Sequence, residues 1–433
     1  MILNSILNKK AKQLRENLDS LWSDILQRHH DSNINKLDLV PFYTSIDLRH
    51  SSFKIAPIDT NIFPAGFHHL SDESKKNATK LMGYYLANAL KNKNIYDCNI
   101  LLVAENFDRN QQYLANIIAL EKILEGTKAK IKKINLFDQE LDQLREENYY
   151  SDIVVLNADL TSGLPDKLID LTQSWVVKHK TKTKIIPSIL YGWYQRSKFR
   201  HFELYNQLVE MIAKQIGFDP WLCSTNISFC DEIDFRALQG ADKLAQIVDD
   251  LIAKTKQKYI EYGINQDPYA IVKADNGTFG MGIVKVNSGD DVLNFNKKIR
   301  HKMATVRDGV ENHKVIIQEG IPSNLTNLGL STSGPEYNSY DISDNGQTEA
   351  KVAERVLYLT AGQIVGTMLR SVPNKNESDI LNATGMVIET ENSYAPSETE
   401  MFIAELASIA AILELDTFLD HFTEKSNNSL RNN

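Results

Sequence analysis

Lys273 closes a short apolar run, Y-A-I-V-K, and is followed by Gly277, Gly280 and Gly282 before a second apolar run, I-V-K-V. Glycines in a turn between two strands permit positive φ and let backbone N–H groups approach a phosphate. A lysine at the end of the incoming strand suits a phosphate as a point charge. A dinucleotide fingerprint would run G-x-G-x-x-G from a strand into a helix. Here the order is G-x-x-G-x-G and the exit is a strand, so that reading fails. A Walker A loop would end Gly-Lys-Ser or Gly-Lys-Thr, and no such tripeptide occurs. A plain flexible β-hairpin would account for three glycines equally well, so the turn alone leaves both readings open.

Further along, V-I-I-Q-E-G ends an apolar strand in Gln318 and Glu319, where a hinge contacting adenine would lie. The segment L-R-S-V-P-N-K-N-E-S-D-I-L-N-A-T-G then places Arg370, Asn374, Asp379 and Asn382 just past another strand. Asp and Asn oxygens are hard ligands that suit Mg2+, which is normally shared with nucleotide phosphates. Arg370 is placed to hold a transferring phosphoryl group.

Upstream, Arg49, Lys54, Asp59 and Asn61 lie close together on a stretch punctuated by Pro57, Pro64 and Gly66. An arginine fork binds a carboxylate in two places and an aspartate holds an ammonium, so the set suits the head group of an amino acid. A surface loop with solvated charges is the competing reading. Trp193, Arg196, Lys198, Arg200 and His201 form a basic and aromatic cluster suited to an anionic substrate or a phosphate. His201 on its own is more often structural or exposed than a general base. Glu105, Asn106, Arg109, Asn157 and Asp159 follow two predicted strands; they either line the same cleft or cap the next helices.

These groups need positioning elements. Apolar spacing predicts a helix over 6–27, then an irregular stretch over about 40–70. Helices are expected over 71–90, 110–124 and 165–177, and strands over 99–103, 131–135, 152–156 and 184–187. Strands alternating with helices predict a mainly parallel α/β sheet covered on both faces, with ligands beyond the carboxyl ends of its strands. Helices over 204–216 and 242–262 follow. From 269 on the texture becomes α+β, with strands over 269–273, 282–286 and 315–318 and a hairpin of 355–359 and 363–369 around Ala361-Gly362. The boundary is expected near 263–268, giving an N-terminal region 1–262, a second domain 263–425 and a frayed tail 426–433. Residues 322–347 read as a long Ser/Asn/Gly-rich loop of the kind that forms a lid or stays disordered.

With 433 residues, two or three packed subdomains are expected. The formal charge of −8, from 48 Lys+Arg and 56 Asp+Glu, excludes the footprint of a general nucleic-acid binder. Cys98, Cys223 and Cys230 make neither a disulfide framework nor a zinc pair; core thiols in a reducing cytoplasm fit. The N-terminus does not read as a signal peptide. The apolar stretch 401–415 carries Glu405 and Glu414 and reads as a buried helix rather than a membrane span.

At this point the chain resembles the ATP-grasp fold: a lysine before a glycine-rich strand turn, a Gln-Glu hinge, then an element R…N…L-N. More closely, it resembles the proteobacterial glutamate–cysteine ligase family. The resemblance runs from about residue 41 to 385 and rests on P-F-Y-T-S-I-D-L-R, I-A-P-I-D-T-N-I-F-P-A-G-F, Y-G-W-Y-Q-R-S-K-F-R-H-F, C-D-E-I-D-F and V-K-A-D-N-G-T-F-G-M-G-I. It departs late, where Asp379-Ile380-Leu381-Asn382 stands in place of an acid followed closely by N-L-N. The resemblance implies an ATP-dependent ligase of glutamate and cysteine that works through an acyl phosphate, with Mg2+ or, alternatively, Mn2+. It implies Lys273 and Arg370 at the reacting phosphate, and Lys273, Gly277, Gly280, Gly282, Gln318 and Glu319 on the nucleotide. Arg49, Asp59, Asn61, Glu105, Arg109, Arg196 and Lys198 would then bind the substrates, and Asp379 and Asn382 the metal. Partners would be small molecules, with no nucleic acid and no membrane; oligomeric state stays open.

Overall fold

The computed structural model describes residues 13, 16, 18–20, 41–90, 93–105, 110–136, 140–147, 149–180, 183–278, 280–306, 309–323, 351–373, 378–381, 386–391 and 395–431. The expected loop over 322–347 lies outside them apart from Pro322 and Ser323. Of the helix expected over 6–27, residues 13, 16 and 18–20 are described, and all are helical.

One sheet is parallel, in the order β4 (Lys130–Asn135), β3 (Asn99–Ala104), β5 (Ile153–Asn157) and β6 (Lys184–Ile186). The central strands β3 and β5 are near-continuous apolar runs because both faces are covered, while the edge strand β4 carries Lys130, Lys132 and Lys133. Ile100, Leu102 and Val155 pack against helices α1 (Asp72–Ala89) and α2 (Gln111–Gly126). Leu101, Val103 and Val154 face α3 (Glu140–Glu146) and α4 (Asp166–His179), where Trp175 is fully buried. Ser71 caps α1 by accepting from Ser74 N at 3.1 Å.

The other two sheets are antiparallel and draw on both sides of the boundary expected near 263–268. In one, β7 (Ile227–Cys230), β10 (Val315–Glu319), β8 (Ala270–Ala274) and β9 (Ile283–Val286) lie in that order. The face bearing Ala270, Val272, Val315 and Ile317 is sealed by Leu244, Val248 and Leu251 of α6 (Ala241–Glu261). Side chains alternate across a strand, so Ile271, Lys273, Ile316 and Gln318 occupy the opposite face.

The third sheet has the order β13 (Val387–Thr390), β12 (Gln363–Pro373), β11 (Lys351–Thr360), β1 (Tyr43–His50), β2 (Ile55–Asn61). The stretch 40–70 is therefore not irregular, as expected, but largely a β-hairpin. Prolines are tolerated because β2 is an edge strand. On one face Ile46, Leu48, Leu357 and Leu359 pack under the C-terminal helix Glu398–Arg431 and α5 (Lys198–Ile216). On the other, Tyr43, Val356, Tyr358 and Met368 pack with α1, while Asp47, Arg49, Glu354 and Arg370 continue the same face as a polar strip. The C-terminal helix contains no Gly or Pro, so nothing stops it before Arg431; residues 426–431, expected to fray, continue it. No described helix is long and apolar enough to cross a membrane. All three cysteines are buried free thiols.

Candidate active site

Lys273 Nζ leaves its sheet and reaches across to β2, donating to the Ile58 carbonyl at 2.8 Å and to Gln318 Oε1 at 2.7 Å. Gln318 Nε2 in turn donates to Thr225 Oγ1 at 3.0 Å. Lys273 is thus fixed where the two antiparallel sheets meet. Burial, only partly offset by Asp59, lowers its pKa to about 8. The hairpin that carries it turns tightly. Gly280 and Gly282 have φ of 64° and 60°. A Cβ at Gly277 or at Gly282 would come within 2.9 Å of the Ala274 Cβ. Thr278 Oγ1, inside this turn, is buried with no hydrogen-bond partner among the described residues.

The N-terminus of α5 docks on the same turn. Lys198 N donates to the Asp275 carbonyl at 2.9 Å, and Phe199 N to Asp275 Oδ1 at 2.8 Å. Lys198 Nζ binds Asp59 Oδ1 at 2.6 Å and lies 4.3 Å from the Trp193 ring. The Arg196 guanidinium stacks on the same ring at 4.7 Å and donates to the Thr60 carbonyl at 2.7 Å. Its remaining fork is bidentate on Glu414, at 2.9 and 3.1 Å.

The polar strip completes the cluster. Glu354 lies directly across the hairpin from Arg370, and Arg370 binds both Glu354 at 3.1 Å and Asp47. Arg49 binds Glu354 at 2.9 Å and donates to the carbonyls of Ile321 and Asp379 at 3.2 and 2.8 Å. Asp47 and Asp59 face each other across β1 and β2. Their surroundings drive them apart. Burial raises the Asp47 pKa to about 6 despite Arg370, with Asp59 and Glu354 adding to the rise. Asp59 is also penalised by burial, yet Lys198 and Lys273 outweigh it and hold the carboxyl at about 2.

The expected residues thus divide. Arg49, Asp59, Arg196, Lys198, Lys273, Gln318 and Arg370, with the turn of Gly277, Gly280 and Gly282, converge where the sheets meet. Asn61 ends β2 opposite Ser45. Glu319 is beside them, but its carboxylate is engaged by Lys54 Nζ at 3.0 Å, by Trp221 Nε1 and by Asn226 N. Glu105 follows β3 and accepts from Leu160 N at 3.0 Å. Through Tyr194 N to Leu160 O it supports the loop that presents Trp193. The Asp379 side chain is 3.9 Å from Lys285 Nζ. Arg109, Asn374 and Asn382 lie outside the described residues.

Sequence reasoning passed over Asp47, Glu354 and Glu414. The first two were signalled: Ser45, Asp47 and Arg49 alternate with Ile46 and Leu48, and a hairpin centred on Ala361-Gly362 sets Glu354 opposite Arg370.

The residues present fit a polyphosphate. Lysine and arginine groups converge on a tight glycine turn, and both Thr278 Oγ1 and Arg370 Nε are buried without hydrogen-bond partners among the described residues. Among these residues no group of three or more His, Cys, Asp or Glu could hold a metal ion. A magnesium shared with phosphates draws only one or two carboxylates from protein, so that count is compatible with one.

A solved structure from Methylobacillus flagellatus KT, assigned as a gamma-glutamylcysteine synthetase, is similar at 29% identity and a TM-score of 0.75, covering 96% of each chain. A glutathione synthetase-like effector from Globodera pallida, solved in its apo form, covers 90% of this chain and 86% of its own. At 11% identity and a TM-score of 0.38 it is too remote to carry an argument. A search of curated proteins gives no significant match. The family model for glutamate-cysteine ligase matches residues 23–143 and 129–335, which take in β1, β2, the Trp193–His201 segment and the glycine hairpin. With most of its length so matched, the chain belongs to the glutamate-cysteine ligase family.

Proposed function

We propose that the chain, as an ATP-grasp ligase, joins the γ-carboxylate of L-glutamate to the amine of L-cysteine with conversion of ATP to ADP and phosphate. The product, γ-glutamylcysteine, is the first intermediate of glutathione synthesis, and the reduced, buried cysteines suit a cytoplasmic enzyme. The observation that supports this reading most is the placement of Lys273. It ends a strand before a glycine turn and is held between two antiparallel sheets beside Asp59, Lys198 and Gln318.

A free carboxylate is a poor acyl donor. Phosphorylating it gives an acyl phosphate that the cysteine amine attacks, expelling phosphate. That chemistry needs no protein nucleophile; it needs positioning and neutralisation of charge. In this reading Lys273 and the N–H groups of the Gly277–Gly282 turn hold the phosphates, Gln318 and the main chain of Glu319 border the base, and Arg370 steadies the transferring phosphoryl group. The turn also excludes water, which would hydrolyse the acyl phosphate. Arg49, Asp59, Asn61, Arg196 and Lys198 receive the amino-acid head groups, with Glu105 at the periphery; Arg109, which lies outside the described residues, is a further proposed substrate contact. Mg2+, or alternatively Mn2+, neutralises phosphate charge when bound, with Asp379 and Asn382 its proposed ligands. The division into 1–262 and 263–425 is one of labour, substrate against nucleotide, since the sheets themselves cross it.

The test is ADP formation by the purified chain with glutamate and cysteine omitted in turn. Release that requires both amino acids supports the proposal. Release driven by a different acid and amine would make it another carboxylate–amine ligase, and ATP binding without turnover would make it a non-catalytic nucleotide-binding protein.

A further inference from the structure

The C-terminal helix is apolar where it lies on the core, from Phe402 to Ile412, yet it carries a carboxylate, Glu414, that is only 1% exposed. Glu414 grips Arg196 with both oxygens and also binds His201 Nδ1. Burial penalises this charge, but Arg196 and His201 together keep it ionised, with a pKa near 2. A buried ion pair of this sort is rarely needed for stability, because apolar side chains of equal volume do as well. Its effect is to be sought in what it fixes.

It fixes Arg196. Two of the guanidinium nitrogens are taken by Glu414 and the third by the Thr60 carbonyl, one residue from Asp59. Asp59 is thereby left to Lys198 at 2.6 Å and to the field of Lys273. An arginine fork binds a carboxylate in two places and is the stronger competitor for it than an ammonium. We infer that Glu414 is a positioning residue: by occupying Arg196 it reserves Asp59 for Lys198 and Lys273 and so sets the charge pattern that receives the amino-acid substrate. Released from Glu414, Arg196 would turn to Asp59 and displace Lys198. The inference rests on the proposal that this cluster is the amino-acid site.

The test is a cycle of Glu414→Gln, Arg196→Gln and the double variant in the full chain. KM and kcat are measured for glutamate, cysteine and ATP separately, with thermal melting alongside. Glutamine keeps the volume of Glu414 and removes its charge. The expected result for Glu414→Gln is a KM for glutamate raised at least tenfold with the KM for ATP within twofold of the parent. The double variant is expected to match Arg196→Gln within twofold, since Glu414 acts through Arg196. Unchanged kinetics in Glu414→Gln, an equal loss for all three substrates that tracks a lower melting temperature, or effects that multiply in the double variant would each overturn the inference. If Glu414→Gln does not fold, the double variant, which buries no unpaired charge, still decides between a match to Arg196→Gln and a further loss. Normal glutamate kinetics in Arg196→Gln beside a loss in Glu414→Gln would take Arg196 off the proposed list of substrate contacts and support the role of Glu414, since nothing then competes for Asp59; an impaired Arg196→Gln beside a normal Glu414→Gln would remove the role of Glu414.

Discussion

Replacing Lys273 by methionine removes one ammonium and keeps the apolar stem of the side chain. Lys273 makes two hydrogen bonds, to the Ile58 carbonyl and Gln318 Oε1, and each acceptor left without a donor costs about 1–3 kcal/mol. Against this, the fold no longer holds a charge that burial disfavours, so the variant is expected to stay folded. For catalysis the loss is one charge-assisted hydrogen bond to phosphate, about 1.5–3 kcal/mol. At about 1.4 kcal/mol per tenfold, kcat/KM for ATP is expected to fall roughly 10- to 150-fold. The assay is steady-state ADP release with glutamate and cysteine saturating. A second reading comes from pH. With the pKa lowered to about 8, Lys273 loses its charge as pH rises through 8, so kcat/KM for ATP should decline with an inflection there. Lys273→Arg, which stays charged, should lose that inflection even if it is slower. Stability should run the other way: the burial penalty is full below pH 8 and is relieved between 8 and the unfolded value of 10.5. Kinetics within twofold of the parent in Lys273→Met, or an unchanged inflection in Lys273→Arg, would refute the placement of this lysine on the phosphates.

Arg49→Ala is expected to raise the KM for glutamate more than that for ATP and, by leaving the buried Glu354 with Arg370 as its remaining arginine partner, to cost about 1.5–3 kcal/mol of stability in denaturant titration. Gly282→Ala should raise the KM for ATP at least tenfold, since its φ of 60° and the 2.9 Å approach to Ala274 force the turn open; the KM for cysteine is the internal control. Asp59, held at about 2 against an unfolded value of 3.8, contributes stability that is present above pH 4 and lost as pH falls through 2. Asp59→Asn should therefore flatten the melting temperature against pH between 4 and 2.

The parallel sheet was legible because its central strands are apolar runs that alternate with helices. The expected strand 99–103 is observed as Asn99–Ala104, and the expected helix 110–124 as Gln111–Gly126. The glycine hairpin was legible for the same reason, with turn residues between two short apolar runs. The β1–β2 hairpin was hidden because both of its faces are buried while one is polar. Asp47, Arg49 and Lys54 are at most 5% exposed, and charges set among prolines read in the sequence as an irregular segment rather than as two paired strands. Glu414 was hidden differently: its partners Arg196 and His201 are more than 200 residues away, and no local pattern encodes that distance.

The five-stranded sheet joins strands that lie far apart in the chain. Strand β1 pairs with β11, so Tyr43 waits for Thr360 and Leu48 for Arg355. During synthesis the first hairpin emerges long before the strands that complete it, and until then Asp47 and Arg49 lack their partners Arg370 and Glu354. A ribosome stalled before residue 370 would thus carry a folded parallel sheet and an unassembled ligase centre. The proposed active geometry forms only once residues 351–373 have been made, and truncation before them should abolish it at a stroke rather than by degrees.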